Sequence, residues 1–212
     1  MKALVIGATG ATGKDLVNIL LNSPAYTAVV IFVRRSTGIV HPKLEEVLTD
    51  FDKLEAIANH ITGDVLFSLL GTTLKIAGSK EAQQHIDYEI PLKFAEIAKS
   101  NGVKATVLLS AYGATPSSRI FYSRLKGNLE KEIGKLAFDQ FIIFRPGLLL
   151  RQNTDRRGER ISASLLKALN SVGIIKRFRP MPTHTLAEKM AKALNHFTGG
   201  THAIELNKIF EL

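Results

Sequence analysis

Residues 2–13 read KALVIGATGATG, an apolar run rich in branched side chains that is followed at once by glycines at every third position. A continuous apolar run of this kind is typical of a strand buried on both faces of a parallel sheet. Glycines directly after such a strand let the backbone turn tightly and let the N–H groups of a following helix approach a phosphate. The stretch predicts a strand–turn–helix unit that binds a dinucleotide; a turn that serves only backbone geometry is the alternative.

The remainder of the chain alternates apolar runs with segments of helical periodicity. Strands are expected at residues 2–6, 28–33, 46–48, 65–70, 104–109, 140–144 and 203–206. Helices are expected at residues 11–21, 54–61, 80–100, 118–136, 161–169 and 185–197. Because parallel strands need a crossover between them, this order predicts an α/β fold. We expect a Rossmann-like doubly wound parallel sheet with helices on both faces and a small C-terminal substrate-side segment.

Length and charge limit the organisation of the chain. Its 212 residues suffice for one sizeable core, so we expect a single domain over residues 1–212 with residues 150–182 as the substrate-side segment. Residues 119–180 hold 14 Lys or Arg against 5 Asp or Glu, which accounts for the whole net charge of +9. One basic segment in an otherwise balanced chain favours a local anionic ligand or a solvated basic face, and it does not favour nucleic-acid binding.

Several classes of site and location are disfavoured by what the sequence lacks. It has no cysteine, which rules out disulfides, thiolate metal sites and cysteine nucleophiles. The six histidines show no metal-binding spacing, so we expect no metal. No apolar run approaches the roughly 20 residues that span a bilayer, and the apolar run at the start is too short for a signal peptide. We therefore expect a cytoplasmic protein that does not enter a membrane.

The second expected strand ends in Val33-Arg34-Arg35, about 20 residues after the glycine turn. An acidic residue at this point bonds the ribose hydroxyls of NAD, whereas an arginine pairs with the 2′-phosphate of NADP. Two arginines and no acid favour NADP(H) as the cofactor, with Arg34 as the main contact. The alternative is that both arginines are solvated at the start of a loop.

Tyr122 and Lys126 are four residues apart at the start of an expected helix, so they share one helical face. A nearby ammonium lowers the pKa of a tyrosine, which makes proton transfer to a carbonyl oxygen practicable near neutral pH. Ser110 closes the fifth expected strand at the edge where open α/β sheets bind ligands, so that its hydroxyl could donate to the substrate oxygen. Alone, Ser110 would be interpreted as a turn residue at a strand end.

With these motifs the chain resembles the short-chain dehydrogenase/reductase superfamily, in its atypical branch of NAD(P)H-binding proteins similar to the Tat-interacting protein family. The resemblance covers nearly the whole length and includes residues 70–73 (LGTT), 108–113 (LLSAYG), 122–127 (YSRLKG) and 144–147 (FRPG). It implies a catalytic triad of Ser110, Tyr122 and Lys126, in which Lys126 also bonds the nicotinamide ribose. The expected cofactor contacts are Gly7, Thr9, Gly10, Ala11, Thr12, Gly13, Arg34, Arg35, Gly71, Thr72, Thr73, Tyr122, Lys126, Pro146, Gly147 and Leu148.

The sequence departs from the family pattern at Asp87. Many relatives carry an asparagine in the helix after the fourth strand, where it holds a water of a proton relay, and Asp87 is the best match to it. The leading hypothesis is an NADPH-dependent oxidoreductase that transfers hydride to a small carbonyl or related electrophile, with Tyr122 as the proton donor. Its substrate is a small molecule, and the basic segment leaves an anionic one open. The rival hypothesis is a redox-sensing regulatory protein that binds NADP(H), acts on a protein partner and has little or no turnover.

Overall fold

Seven strands pair in parallel into one sheet, and two short strands form a separate pair. They are seen in a computed structural model that describes residues 1–150 and 179–212. Most of the expected substrate-side segment, and the helix expected at residues 161–169, lie outside the described residues. The strands are β1 (Lys2–Ile6), β2 (Ala28–Val33), β3 (Leu44–Leu48), β4 (Val65–Ser68), β5 (Ala105–Leu109), β6 (Gln140–Arg145), β7 (Leu149–Leu150), β8 (Met181–Pro182) and β9 (Gly200–Glu205).

The order of strands across the sheet is β3-β2-β1-β4-β5-β6-β9. The chain starts at β1, runs outward through β2 to β3 and then returns to β4 on the other side of β1. The connections that follow β1 and β4 therefore run in opposite directions across the sheet. Their divergence opens a crevice at the carboxyl ends of these strands, where ligands of doubly wound sheets bind. Ile6 lies opposite Phe32 of β2 and Ser68 of β4, so the residues that follow these three strands meet at the crevice. The predicted fold class is confirmed.

Helices cover both faces of the sheet, as the crossovers require. A π-turn at His85–Glu89 joins the third helix to the fourth, and 3₁₀ helices lie at Leu54–His60, Ala193–Asn195 and Leu206–Glu211. In the described part of the chain the α-helices are α1 (Ala11–Asn22), α2 (Leu74–Ala77), α3 (Lys80–Gln84), α4 (Ile90–Ser100), α5 (Phe121–Lys135) and α6 (Thr183–Lys192).

Neighbouring side chains of β1 enter two different hydrophobic cores, because a strand of a doubly covered sheet is buried on both faces. Val5 belongs to the core that α1 and α6 cover, together with Leu16 of α1. Ile6 belongs to the core that α4 and α5 cover, together with Phe94 of α4. The glycine turn that follows Ile6 is thereby held at the end of a rigid strand.

The helix expected at residues 80–100 has the expected bounds, but residues His85–Glu89 within it have π spacing and divide it into α3 and α4. A turn with the wider π spacing accommodates an extra residue and changes the direction in which its side chains point. Asp87 lies within this turn and is fully buried, at 0% exposure. The helical periodicity of the sequence is compatible with either spacing, so it did not reveal the turn.

Candidate active site

The glycine turn is so closely packed that two of its positions have no room for a side chain. Gly7 has a φ of +83°, and a Cβ there would lie 2.6 Å from the carbonyl carbon of Leu69 after β4. A Cβ on Gly13 would lie 2.1 Å from the carbonyl oxygen of Gly7. Glycine at both positions therefore lets the turn pack against β4 and lets α1 begin directly above it.

The N-terminus of α1 has the features of a phosphate site. Gly10 is its N-cap, no side chain caps it, and its first turn contains no acidic residue. The first N–H groups of a helix have no partner within the helix, and the helix dipole adds partial positive charge at this end. Both properties fit the pyrophosphate of a dinucleotide, and the sequence predicted this arrangement from the three glycines.

A basic cavity of about 600 Å³ lies beside the glycine turn, at the carboxyl end of β2. Glu46 of β3 holds the loop after β2 in place. The carboxylate of Glu46 accepts hydrogen bonds from the Ser36 hydroxyl at 2.6 Å and from the Thr37 N–H at 2.7 Å. These bonds lower the pKa of Glu46 and engage its carboxylate. The residues that line this cavity are Thr9, Lys14, Arg34, Arg35, Ser36 and Thr37.

Lys14 was not among the expected cofactor residues. It stands in the first turn of α1, directly after the glycines, and it lines the same basic cavity as Arg34. Its position next to Gly13 was the available signal, since a cation in the first turn of a phosphate-binding helix can reach a neighbouring anion.

A second cavity of about 590 Å³ extends from the glycine turn past Arg34 to the end of β3. Gly7, Thr9 and Gly10 line it, as do Gly71 and Thr72 after β4. The segment after β3 also lines it and was not predicted to do so. That segment follows a strand at the carboxyl edge, which was the signal that could have found it. The lining residues from this segment are Thr49, Asp50, Phe51 and Asp52.

A third cavity, of about 610 Å³, brings the glycine turn and the three expected triad residues together. Ser110 reaches it from the end of β5, and Tyr122 and Lys126 reach it from α5. Besides Tyr122 and Lys126, the expected cofactor residues that line this cavity are Gly10, Ala11, Thr12, Gly13, Gly71, Thr72 and Thr73.

The cofactor contacts expected from the loop after β6 stay a prediction. Among the described residues, Leu149 lines the third cavity, whereas Pro146, Gly147 and Leu148 line none of the three. The backbone of this loop also pairs with the segment around β8, since Met181 donates its N–H to the carbonyl of Leu148 at 2.9 Å.

Lys126 is fixed in position and buried, at 1% exposure. Its Nζ donates to the carbonyl oxygen of Leu70 at 3.0 Å, which ties α5 to the loop after β4. Burial lowers the pKa of Lys126, and the carboxylates of Asp87 and Glu130 act in the opposite direction. Gly127 lets α5 pack directly against the backbone of Thr115, because a Cβ at residue 127 would lie 2.2 Å from that backbone.

Asp87 places a buried carboxyl group near Tyr122 and Lys126. Its Oδ1 accepts from the backbone N–H of Thr72 at 2.7 Å, and its Oδ2 accepts from Gln83 at 3.4 Å. Burial raises the pKa of Asp87, while Lys126 and these hydrogen bonds favour the charged form.

The pKa of Tyr122 does not shift in the direction that we expected from the sequence. Burial, and secondly the charge of Asp87, raise this pKa to about 12. The expected lowering considered only the ammonium of Lys126, one helical turn away. A buried phenol loses hydration that would stabilise the phenolate, and a carboxylate nearby destabilises the phenolate further.

The hydroxyl of Ser110 is already engaged within the protein. It donates to Oε1 of Glu130, a buried residue one turn beyond Lys126 on α5. Glu130 in turn accepts from Arg145 at the end of β6, with Nε to Oε1 at 3.0 Å and Nη2 to Oε2 at 2.5 Å. Glu130 and Arg145 were not predicted as site residues. The spacing of Tyr122, Lys126 and Glu130, four residues apart in each step, was the available signal.

The comparisons with known proteins agree with this geometry. Residues 7–164 match the family described as NAD(P)H-binding. Protein FMP52, mitochondrial, from Candida albicans is 38% identical over 165 residues, which cover 74% of this chain and 71% of that protein. Protein HTATIP2 from Rattus norvegicus is 36% identical over 157 residues, which cover 72% of this chain and 64% of that protein.

A solved structure shows the same fold at much lower identity. It is a short-chain dehydrogenase/reductase superfamily protein from Agrobacterium tumefaciens with bound NAD. Its sequence is 16% identical, and the superposition covers 97% of this chain and 77% of that one with a TM-score of 0.72.

The expected cytoplasmic location is contradicted by the relatives. Six of them, 32–38% identical to this chain, carry the word mitochondrial in their names. The expectation rested on features that the sequence lacks, and such absences do not identify a compartment. Within residues 1–150 and 179–212, no helix combines the length and the apolar character needed to cross a membrane.

Proposed function

The chain belongs to the NAD(P)H-binding family, as an atypical member of the short-chain dehydrogenase/reductase superfamily, and from this we propose that it is an NADPH-dependent oxidoreductase. Its reaction is the transfer of hydride to a small carbonyl compound or a related electrophile, with Tyr122 as the proton donor. The observation that supports this most is the shared cavity, in which Tyr122, Lys126 and the uncapped N-terminus of α1 meet.

The residues of the chain divide the work of this reaction. Bound NADPH supplies the hydride. Tyr122 donates a proton to the substrate oxygen, and a pKa of about 12 keeps it protonated for that step at neutral pH. Lys126, one helical turn away, offsets the negative charge that develops on the tyrosine oxygen as its proton leaves.

The preference for NADP(H) over NAD(H) is supported by the basic cavity beside the glycine turn. Lys14, Arg34 and Arg35 contribute cations to it, and none of the described residues that line it is acidic. A 2′-phosphate gains charge-assisted hydrogen bonds in such surroundings, whereas a free ribose hydroxyl gains little from them.

The mouth of the third cavity favours a substrate with an apolar body. Leu74, Ile76 and Ile120 line it with exposures of 47%, 60% and 67%. Exposed large apolar side chains grouped around a cavity are typical of surfaces that contact an apolar ligand. Lys80 adds a cation, with its Nζ 5.8 Å from the ring centre of Phe121, so an anionic group on that body can also be accommodated.

The experiment that tests the proposed function is NADPH oxidation against four compounds: menadione, benzaldehyde, phenylglyoxylate and pyruvate. We expect the three aromatic compounds to be reduced faster than pyruvate. We expect Lys80→Ala to slow phenylglyoxylate more than benzaldehyde, because only the former carries a carboxylate. NADPH that binds tightly but is oxidised with none of the four would contradict an oxidoreductase.

The second candidate function is a regulatory protein that senses NADP(H). The observation that favours it is the hydroxyl of Ser110, which donates to Glu130 within the protein. Under this hypothesis the cleft binds the cofactor, and Tyr122 and Lys126 only shape it. Binding of NADPH without turnover in the same four assays would support the sensor.

A further inference from the structure

The wall that α3 gives to the third cavity contains a buried amide, that of Gln83. Lys80 and Gln83 are the described residues of α3 that line this cavity, and neither lines the second one. They are three residues apart and so share one face of the helix. Lys80 is exposed, whereas Gln83 is buried, at 3% exposure. The proposed reaction, as described so far, gives this buried amide no part.

The backbone carbonyl of Thr72 determines which way the amide of Gln83 is turned. Nε2 of Gln83 lies 3.3 Å from the carbonyl oxygen of Thr72 and 3.4 Å from Oδ2 of Asp87. A carbonyl oxygen can only accept a hydrogen bond, so the nitrogen end of the amide must face Thr72. This orientation does not depend on the charge of Asp87, because the carbonyl imposes it in either state. Oε1 is therefore the end of the amide that faces away from Thr72.

Oε1 of Gln83 is an acceptor without a donor inside the protein. Within residues 1–150 and 179–212, the side chain of Gln83 makes hydrogen bonds through Nε2 only, and Oε1 accepts none. A buried acceptor that lacks a partner costs free energy, and folded proteins rarely leave one. A ligand that displaces water from the third cavity must therefore supply the donor itself. The cavity favours a ligand with an O–H or N–H group at this point.

The place of Gln83 favours the substrate over the cofactor as the source of this donor. The expected cofactor contacts lie in the glycine turn, in the loops after β2, β4 and β6 and on α5, and none of them lies on α3. Lys80, on the same face of α3, has its Nζ 5.8 Å from the ring centre of Phe121 and lines the mouth proposed for the body of the substrate. Gln83 continues this wall from the mouth into the buried part of the cavity.

We propose that Gln83 is a specificity-determining residue that selects substrates carrying a hydroxyl or N–H group in addition to the carbonyl that is reduced. The inference rests on the proposed reductase activity and names the class of its substrate more closely. Oε1 accepts a hydrogen bond from that group while Tyr122 protonates the carbonyl oxygen, so the substrate is held at two points. Two contacts fix the orientation of the carbonyl, and an analogue without the donor leaves Oε1 buried and unpaired.

The first test compares two alcohols, 3- and 4-(hydroxymethyl)benzaldehyde, with their methyl ethers as substrates of the unsubstituted protein. Within each pair the aldehydes are electronically alike, but only the alcohol can donate a hydrogen bond. We expect the alcohol of at least one pair to have a kcat/KM about 10- to 100-fold above that of its ether, the usual effect of leaving a buried acceptor unpaired. Equal values within both pairs, with all four compounds reduced, would overturn the inference and leave the proposed function intact.

The second test assigns this preference to Gln83. Gln83→Met keeps a flexible side chain of similar size but removes Oε1, so the ratio of kcat/KM between alcohol and ether should fall to within about twofold of one. Loss of the donation to Thr72 slows both members of a pair alike and cancels in the ratio. If Gln83→Met does not fold, Gln83→Ala takes its place, because alanine suits a helix and also removes Oε1.

Gln84→Met is the matched control on the same helix. Gln84 is exposed and donates from Nε2 to Oε1 of Glu89 at 3.0 Å, away from the third cavity. The same substitution at this neighbouring position should leave the ratio between alcohol and ether unchanged. NADPH affinity should stay within about twofold of the unsubstituted value in both variants.

The remaining outcomes decide different statements. A preference for the alcohol that persists in Gln83→Met would overturn the inference, because another group would then accept the hydrogen bond. A lower NADPH affinity in Gln83→Met, without any preference for the alcohols in the unsubstituted protein, would also overturn it and would assign Oε1 to the cofactor. Oxidation of NADPH with none of these aldehydes, and with none of the four compounds above, would overturn the proposed function and the inference with it.

Discussion

The carboxylate of Asp87 accepts a 2.7 Å hydrogen bond from the backbone N–H of Thr72. Thr72 belongs to the loop after β4, which lines two of the three cavities, and Asp87 belongs to the π-turn between α3 and α4. Gln83 strengthens this link by donating to the carbonyl of Thr72 at 3.3 Å. The π-turn thus places Asp87 where its carboxyl group both holds the loop after β4 and lies near Tyr122 and Lys126.

Asp87→Asn separates these two roles, because asparagine retains an oxygen for the Thr72 N–H but carries no charge. Asp87 raises the pKa of both Tyr122 and Lys126, so both values should fall in the variant. Tyr122 must be protonated to donate, and activity is therefore lost as pH rises through its pKa. We expect the alkaline limb of the kcat/KM profile to move to lower pH by about one unit. Burial still raises the pKa of Tyr122 in the variant, but the charge of Asp87 no longer does.

Asp139→Asn is the matched control for this profile. Asp139 is exposed and precedes β6 at the opposite edge of the sheet, so its removal should leave the alkaline limb where it is. A profile of Asp87→Asn that superimposes on that of Asp139→Asn would show that the charge of Asp87 does not act on the proton donor.

The placement of the site could be predicted from the sequence because it depends on strand order. Residues at the carboxyl ends of parallel strands meet at one edge, so the glycine turn, Arg34 and Ser110 come together whatever the details of packing. Apolar runs also identify strands reliably when both faces are buried, and β1 and β2 have the expected bounds. Helical spacing then placed Tyr122 and Lys126 on one face of α5.

The glycine turn offers a prediction about stability. A Cβ on Gly13 would meet the carbonyl oxygen of Gly7 at 2.1 Å, and neither backbone can yield without moving the turn. We expect Gly13→Ala to lower the free energy of unfolding by at least about 1–3 kcal/mol, which is the usual cost of overpacking a well-packed site. The substitution should also weaken NADPH binding. Urea denaturation and a binding titration measure the two effects.

Gly134→Ala provides the comparison within an ordinary helix. Gly134 lies near the end of α5, and a Cβ there would meet nothing within 4 Å. Alanine should raise the free energy of unfolding by about 0.5–1 kcal/mol, because it reduces the conformational entropy of the unfolded chain and has a higher helix propensity than glycine. Equal effects of the two substitutions would contradict the close packing of the glycine turn.

Cofactor preference should depend on the basic cavity and not on overall charge. Lys14→Ala and Arg34→Ala should each weaken NADPH binding by about tenfold and leave NADH binding nearly unchanged, because only NADPH carries the 2′-phosphate. Lys104→Ala removes a cation at the amino end of β5 and should alter neither affinity. Tighter binding of NADH than of NADPH to the unsubstituted protein would refute the assignment of this cavity.

The polar contacts within the site were not predictable from the pattern of residues. Local periodicity does not distinguish α from π spacing at residues 85–89, and the contact of Asp87 with Thr72 in the loop after β4 joins residues distant in the sequence. The pKa of Tyr122 depends on burial and on that same carboxylate, so Lys126 alone suggested the wrong direction. The partner of Ser110 is Glu130, and this contact forms only when β5, α5 and β6 pack together.

The central claim is that Tyr122 donates the proton in an NADPH-dependent reduction, and Tyr122→Phe tests it most directly. The measurement is the single-turnover rate of NADPH oxidation with menadione, beside the dissociation constant for NADPH. Loss of a positioned acid should slow the rate by about 10²- to 10⁴-fold, while the dissociation constant stays within about twofold. A rate equal to that of the unsubstituted protein would contradict the claim.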